Sequence, residues 1–249
     1  MISLRLMNRV LDLDLDAQTV TVEGGMNYSQ LVAYLADADC GLAVQNVACL
    51  SVISLAGGSG TGTHGSAGVG SDGRAVHGNL ASQLVAMEFV DADGGLRQYK
   101  QGDPEWDGCR VHVGCLGPVS KLTIQLYPDY DVQLTVYIGI TTSHFIKHFR
   151  EMLESCDSFS LYHNFDHEDW AQQTGSLWLR KKVPVGTEWV EPEPMWLGEG
   201  RLHDPKLDGP SRMANRMHRN VGGLWAESLA PFEGQEVNGN QDELQYEYL

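Results

Sequence analysis

The sequence has no run of about 20 consecutive apolar residues, the length that a helix needs to cross a bilayer, anywhere in its 249 positions. Its first segment, "MISLRLMNRVLDLDLD", turns acidic before a signal-like apolar run develops. We therefore predict a soluble protein without a membrane span. The hydrophobic content of 42% is enough to build a sizeable core, which excludes a disordered chain.

Basic residues are scarce. Lys and Arg number 17 against 33 Asp and Glu, which gives a formal net charge of −16. A field of this sign repels phosphate backbones and anionic lipid surfaces. Nucleic acid is therefore excluded as an expected partner, and we expect a small-molecule substrate instead.

Cysteine pairs of the CxxC type are absent as well. The five cysteines are Cys40, Cys49, Cys109, Cys115 and Cys156. Because their number is odd and they are scattered, they indicate neither a zinc site nor a disulfide framework. This usage predicts a reducing, cytoplasmic location.

Two groups of potential metal ligands lack the spacing of an established metal site. They are Asp12, Asp14 and Asp16 on one predicted strand, and His163, Asp166 and His167 in "YHNFDHED". No glycine-containing calcium loop accompanies the aspartates, and the histidine spacing suits a metal only weakly. We predict no metal site.

The first part of the chain carries clear local signals. Apolar and acidic residues alternate in "VLDLDLDAQTVTVEGG", which predicts two strands joined at residues 16–18. A helix is predicted after Asn27, a candidate N-cap, with Gly41 beyond its end. The stretch "QLVAMEFVDADGGLRQY" predicts a hairpin.

The rest of this region is expected to hold one more helix and one more strand. Asp103 and Pro104 mark the start of a helix that should stop at Gly114 to Gly117. The strand "VSKLTIQLYP" should then close at Pro128.

A second unit of strand, helix and strand is predicted after Tyr130. "VQLTVYIGI" and "SLWLRKKV" have strand character, and "SHFIKHFREMLESC" has one apolar helical face. Residues 183–210 are proline-rich without periodicity, which predicts a long surface loop. We therefore predict an α+β protein with domains at 1–130 and 131–249.

The stretch "AGGSGTGTHGSAG" is either a flexible linker or a segment shaped to lie against a ligand. Glycine and serine content alone fits a linker. However, residues 48–71 hold no charged side chain apart from His64, whereas linkers usually collect charges and prolines. Alternating glycines let a ligand approach the main chain and take hydrogen bonds from successive N–H groups, which favours a phosphate or diphosphate cradle. The P-loop and the GxGxxG dinucleotide fingerprint are both absent.

This stretch is also the first of several motifs that occur in a familiar order. It continues through "GNLASQLVAMEFVDADGG", "VGCLGPVSKLTIQLYP", "SLWLRKK", "GGLWAESLAPF" and "LQYEYL". Together these motifs resemble the FAD-linked oxidases of the vanillyl-alcohol-oxidase type, and among them the alditol oxidases and the sugar-1,4-lactone oxidases, such as D-arabinono-1,4-lactone and L-gulonolactone oxidases. The resemblance extends from about residue 8 to the last residue.

The resemblance implies a PCMH-type FAD-binding domain, here its second subdomain, followed by the beginning of an α+β substrate domain. It implies FAD as cofactor. The glycine segment would wrap the diphosphate and reach the flavin, while "GCLGPV" would meet the adenosine half. The implied cofactor-binding residues are Gly58, Ser59, Gly60, Thr61, Gly62, Thr63, His64, Gly65, Ser66, Gly114, Gly117 and Val119.

Two family segments have no counterpart in the sequence. A first FAD loop is expected upstream of Met1, and the catalytic side chains of the relatives are expected beyond Leu249. We therefore expect the middle of a longer oxidase, with weak FAD retention and no identified catalytic residue.

Several residues have two interpretations. His64 is either a ligand or base, or a side chain that packs and holds the loop. Cys115 is either a redox thiol or a buried small hydrophobe, and the latter is preferred. Trp225 and Glu227 are interpreted as structural.

Three functions are compatible with these patterns. The first is oxidation of the CH–OH group of a sugar alcohol or aldonolactone, with hydride transfer to flavin and oxygen as acceptor. The second is a non-catalytic remnant acting as a binding module. The third is a nucleotide-phosphate binder unrelated to flavins.

Overall fold

The computed structural model describes residues 2–47, 52–163, 168–209 and 214–218. These residues form two compact units. The first contains residues up to 65 and residues 77–130, and the second contains residues 66–76 and the described residues from 131 onward. Within the described ranges, no helix is both long and apolar enough to cross a membrane.

The first unit is built on a five-stranded antiparallel sheet. Its strands are β1 (Val10–Asp14), β2 (Thr19–Glu23), β4 (Leu84–Val90), β5 (Leu96–Lys100) and β6 (Val119–Gln125), in the order β1-β2-β6-β4-β5. A separate two-stranded sheet joins β3 (Leu42–Ala43) to β7 (Tyr127–Pro128). The predicted strand that should close at Pro128 is thus divided between the two sheets.

The predicted first hairpin is confirmed, since β1 and β2 pair antiparallel. The carboxylate of Asp14 accepts hydrogen bonds from the N–H groups of Asp16 and Ala17, and Gln18 has a φ of 53°, so the turn is fixed locally. Strand β1 lies at the sheet edge, where Leu11 is half-exposed.

Helix α1 (Tyr28–Ala38) begins at Asn27, as predicted. The Asn27 side chain accepts from the Gln30 N–H, and the Gln30 side chain accepts from the Asn27 N–H, which forms a capping box. Leu31 and Leu35 are buried on the core face, and the helix ends at Asp39 in the left-handed region.

The predicted helix from Asp103 is wrong in its bounds. Helix α3 covers only Trp106–Arg110. The carboxylate of Asp103 instead accepts from the N–H of Lys100, so it closes the turn after β5 and does not cap a helix. Burial of Trp106 and Cys109 sets the short helix, and this packing preference is not visible in local propensity.

The second unit holds a second antiparallel sheet. Its strands are β8 (Asp131–Thr141), β9 (Ser158–His163), β10 (Thr174–Val183), β11 (Arg201–Leu202) and β12 (Arg216–His218). The order is β11-β8-β10-β9, with β12 also pairing β8. The predicted loop at 183–210 thus contributes one short strand, β11.

The helix predicted at 143–156 is interrupted. Helix α4 (Thr142–Lys147) and helix α5 (Phe149–Ser155) meet at His148, whose φ and ψ are −108° and 21°. Met152 is buried against Tyr137, Ile140 and Leu177 in the core of this unit.

Residues 66–76 are tied to the second unit by hydrogen bonds. The N–H of Gly68 donates to the Asp157 carbonyl at 2.9 Å, and that of Val69 donates to Leu153 at 2.7 Å. The Ser66 hydroxyl accepts from the Phe159 N–H at 2.8 Å. The loop thus follows the first unit in sequence but belongs to the second.

The first sheet is expected to lose stability in acid through Glu88. Hydrogen bonds from Ser120 and Gln98, together with the ammonium of Lys121, lower the pKa of Glu88 from 4.5 to about 2. Because the pKa is lower in the folded state, the charged carboxylate stabilises the fold above pH 4.5. This contribution is lost as the pH falls towards 2.

We therefore expect Glu88→Gln to lower the free energy of unfolding most at neutral pH, with the difference from wild type shrinking below pH 4.5. Urea denaturation across this pH range measures the difference. Glu105→Gln, at an exposed carboxylate, is the control. A Glu88→Gln deficit that is the same at every pH would contradict the assignment.

Candidate functional site

The glycine segment of the first unit is folded rather than slack. Helix α2 (Leu55–Gly60) begins at Ser54, whose hydroxyl accepts from the Gly57 N–H at 3.1 Å. Gly58 and Gly60 are buried. A side chain at Gly58 would lie 3.0 Å from Ile53 and 3.2 Å from Leu80, so the glycine allows close packing here. The linker interpretation is therefore wrong for this part of the segment.

Most N–H groups of the segment are used within the chain. Gly58, Thr61, Gly62 and Thr63 donate to the carbonyls of residues 54, 57, 59 and 58. These N–H groups are thus not available to a ligand, because they form the hydrogen bonds of helix α2 and of the turn after it. The next two N–H groups, of His64 and Gly65, donate to no described residue, and both residues are exposed.

The hydroxyl groups differ in the same way. Ser59 is 1% exposed and donates to the Leu55 carbonyl at 2.6 Å, so it is held within the helix. Thr61 donates to Gly57 O at 2.9 Å. The Thr63 hydroxyl lies 3.2 Å from that of Thr61 and has no other partner among the described residues. Because the Thr61 proton is given to Gly57, the Thr63 hydroxyl is the donor in this contact, and it must turn away from Thr61 to donate to a ligand.

His64 does not pack into the fold. Its side chain is exposed, and Nδ1 lies 3.2 Å from the carbonyl of Gly65, to which it can donate. The packing interpretation of His64 is therefore wrong, while a local hydrogen bond is present.

The second predicted cofactor segment lies directly against the glycine segment. The N–H of Val113 donates to the Gly60 carbonyl at 2.9 Å. A side chain at Gly62 would lie 3.4 Å from Val111. The structure therefore brings residues 58–63 and 111–114 together within one unit.

The turn after Val113 has an unusual backbone. Val113 has a φ of 45°, and Gly114 and Gly117 have φ of 80° and 114°. A β-branched residue at positive φ is strained by about 1–3 kcal/mol, and such strain is concentrated at functional sites. A side chain at Gly117 would lie 2.1 Å from the Val90 carbonyl, so this glycine allows the turn to pack on β4.

The turn itself is exposed and largely apolar. Val111, Val113 and Leu116 are 41%, 65% and 40% exposed. Gly114 and Cys115 are exposed as well, so the prediction that Cys115 is buried is wrong. Val119 is buried in β6 opposite Phe89 and Pro118 precedes it, which makes Val119 a support of the turn and not part of its open face.

His112 lies beneath this turn and was not identified from the sequence. It is 8% exposed, and its Nδ1 accepts from the Gly114 N–H at 3.0 Å. Its Nε2 is buried without a hydrogen-bond partner among the described residues. Burial lowers the pKa of His112 below its usual 6.5, which favours the neutral ring. The sequence analysis missed His112 because its contacts with Gly60 and Gly114 leave no local sequence pattern.

The two segments together can hold an anionic ligand without a cation. Thr63, the free N–H groups of His64 and Gly65, and the exposed apolar side chains are all neutral. Arg110, the nearest cation in sequence, pairs with Asp107. Neutral backbone and hydroxyl donors of this kind are suited to a diphosphate, and the apolar side chains are suited to a planar ring.

Other candidates contribute little to this site. A cavity of about 460 Å³ opens on the first sheet beside Glu88, and no predicted cofactor residue lines it. Among the described residues, no group of three or more His, Cys, Asp or Glu could hold a metal. Asp166, His167, Trp225 and Glu227 lie outside the described residues.

Comparison with known proteins points to one family. The FAD binding domain family matches residues 1–99. The chain is 30% identical over 238 residues to the alditol oxidase of a Streptomyces species, covering 96% of this chain and 53% of that protein. It is 32% identical over 160 residues to the L-gulonolactone oxidase of Bos taurus, covering 64% and 32% of the two chains.

A solved structure shares the fold at low sequence identity. The cholesterol oxidase of Brevibacterium sterolicum superimposes with a TM-score of 0.59 at 18% identity, covering 76% of this chain and 35% of that one. The chain thus spans about half the length of the alditol oxidase and about a third of the other two proteins.

The contact between the two segments is expected to depend on Gly60. A methyl group there would lie 2.9 Å from Nε2 of His112. Although alanine is otherwise favoured in a helix, we expect Gly60→Ala to destabilise the protein by about 1–3 kcal/mol. Gly65→Ala is the control, since a methyl group there meets nothing within 4 Å. Equal unfolding midpoints in urea for the two variants would refute this packing.

Proposed function

We propose that the chain belongs to the FAD-linked oxidases of the vanillyl-alcohol-oxidase type, with FAD as its cofactor, and that it is part of an oxidase acting on the CH–OH group of a sugar alcohol or an aldonolactone. Oxygen is the electron acceptor in this proposal. The observation that carries it is the hydrogen bond from Val113 to Gly60, which joins the two segments that the family resemblance assigns to FAD.

The residues of these segments fit FAD on their own chemistry. The N–H groups of His64 and Gly65 are uncommitted donors on an exposed surface, and the half-buried hydroxyl of Thr63 can join them by leaving Thr61. Main-chain donors stripped of side chains allow a diphosphate to approach closely. In this proposal the buried members, Gly58 and Ser59, shape the surface, while Thr63 to Gly65 bind the diphosphate.

The chemistry comes from the cofactor, and the chain supplies binding and orientation. FAD would be held by the donors of Thr63 to Gly65, and when bound it would supply the acceptor for the hydride of the CH–OH group. Val113 and Leu116 offer apolar surface to the adenosine half of the bound cofactor.

The two halves of the chain have different roles in this proposal. Residues 1–130 bind FAD as the second subdomain of a PCMH-type domain, and residues 131–249 contribute to the substrate side. A reducing, cytoplasmic location is also proposed, because the described cysteines are all free thiols. A binding module without catalysis, or a flavin-independent phosphate binder, is the alternative outcome of the tests below.

We expect Thr63→Val to weaken FAD binding about five- to tenfold, since a hydrogen bond to a charged group contributes roughly 1.5–3 kcal/mol and exposure reduces this. Thr63→Ser keeps the hydroxyl and should bind within about twofold of wild type. Titration followed by flavin fluorescence gives the dissociation constants. Equal affinity in the valine and serine variants would remove Thr63 from the site.

We also expect the FAD-loaded 249-residue chain to lose its flavin colour only slowly when mixed without air with an alditol or an aldono-1,4-lactone, because no catalytic residue is identified in it. Colour should return on admission of air, with hydrogen peroxide formed. Free FAD with the same substrates is the control. Binding of FAD without any bleaching would leave the binding module as the correct description, and absence of FAD binding would leave the flavin-independent alternatives.

A further inference from the structure

His112 joins the two cofactor segments from beneath. On one side its Nδ1 accepts the N–H of Gly114, the residue that follows the strained Val113. On the other side its ring edge lies against Gly60, where a side chain would be 2.9 Å from Nε2. The imidazole therefore fills the space between the glycine segment and the turn.

The hydrogen-bond pattern fixes the tautomer of the ring. A backbone N–H can only donate, so Nδ1 must be the unprotonated nitrogen and Nε2 carries the hydrogen of the neutral ring. Burial is the cause of the lowered pKa of His112, and no charged side chain contributes to the shift. Arg110 and Asp107, the nearest ionisable residues on its own segment, pair with each other.

A filling role alone does not account for a histidine here. The His112 ring packs edge-on against Phe89, with 5.3 Å between the two ring centroids. These apolar surroundings would accept an aliphatic side chain. An aliphatic side chain would also avoid the buried Nε2 that lacks a partner among the described residues. Compared with an aliphatic side chain, the imidazole adds a hydrogen-bond acceptor, Nδ1, for the N–H of Gly114.

That acceptor holds a backbone that would otherwise relax. Val113 and Gly114 both have positive φ, which is unfavourable for valine. Three bonds oppose relaxation: Val113 N–H to Gly60, Gly114 N–H to Nδ1, and Cys115 N–H to the carbonyl of His112. Only the second depends on a side chain.

We propose that His112 is a positioning residue for FAD: by accepting the Gly114 N–H it holds the turn at 113–117 against Gly60, and so presents Val113 and Leu116 to the cofactor. This inference rests on the proposed function for the cofactor's identity. The conformation of the turn is a property of the protein alone, so it can be measured without FAD.

Three substitutions in the 249-residue protein separate the roles of His112. His112→Leu keeps apolar bulk but removes the acceptor. His112→Asn places an amide oxygen where Nδ1 stood, so it restores the acceptor without the rest of the ring. Ile124→Val, a buried change in strand β6 of the same unit, is the control for a general loss of stability.

Two measurements are made on each protein: hydrogen exchange of the Gly114 amide without FAD, and the FAD dissociation constant by fluorescence. We expect His112→Leu to speed Gly114 exchange and to raise the dissociation constant about tenfold. His112→Asn should restore both to within about threefold, and Ile124→Val should change neither beyond about twofold.

The outcomes are distinguishable. If His112→Leu and Ile124→Val have equal effects on FAD affinity once matched for unfolding midpoint, the positioning role is overturned. It is also overturned if Gly114 exchange in the leucine variant matches wild type. A wild-type protein that ignores FAD rejects the proposed function and the affinity part of the inference. Gly114 exchange then still decides whether His112 holds the turn.

Discussion

The close approach of two main-chain segments at Gly60 is the constraint on which the candidate site depends. The Gly60 carbonyl accepts from Val113, and the absence of a side chain at Gly60 leaves room for the His112 ring. Without this approach the glycine segment and the turn at 113–117 would be separate surface features. With it they form one surface in which uncommitted donors and exposed apolar side chains lie side by side.

The net charge of the protein limits what can attract a diphosphate to this surface. A net charge of −16 repels a diphosphate at long range, and no lysine or arginine lies between residues 52 and 71. We therefore expect attraction to come from the oriented N–H and O–H dipoles of residues 63–65, which act at short range. Such donors are effective only if they are fixed in place. The contacts of Gly60 with Val113 and His112 therefore matter for binding, although they do not touch the ligand.

Local signals in the sequence predicted those elements whose causes are local. The β1–β2 hairpin follows from alternation and the Asp14 turn, and α1 follows from the Asn27 capping box. The resemblance to FAD-linked oxidases predicts that both segments bind the cofactor, and the structure shows that they are in contact. Elements set by distant packing were predicted poorly: α3 is shorter than its capping signals indicate, and the helix at 142–155 is broken at His148. His112 escaped notice because its partners are brought to it only by folding, and the committed N–H groups of residues 58–63 became visible only with helix α2.

The loop at 66–76 has a consequence for how this protein can be divided. Its hydrogen bonds to Leu153, Asp157 and Phe159 lie in the second unit, although the sequence on either side of it belongs to the first. The polypeptide therefore passes from one unit to the other more than once, and no single cleavage point yields two self-sufficient pieces. A shortened protein that ends at Tyr130 would keep this loop but lose the residues that form its hydrogen bonds.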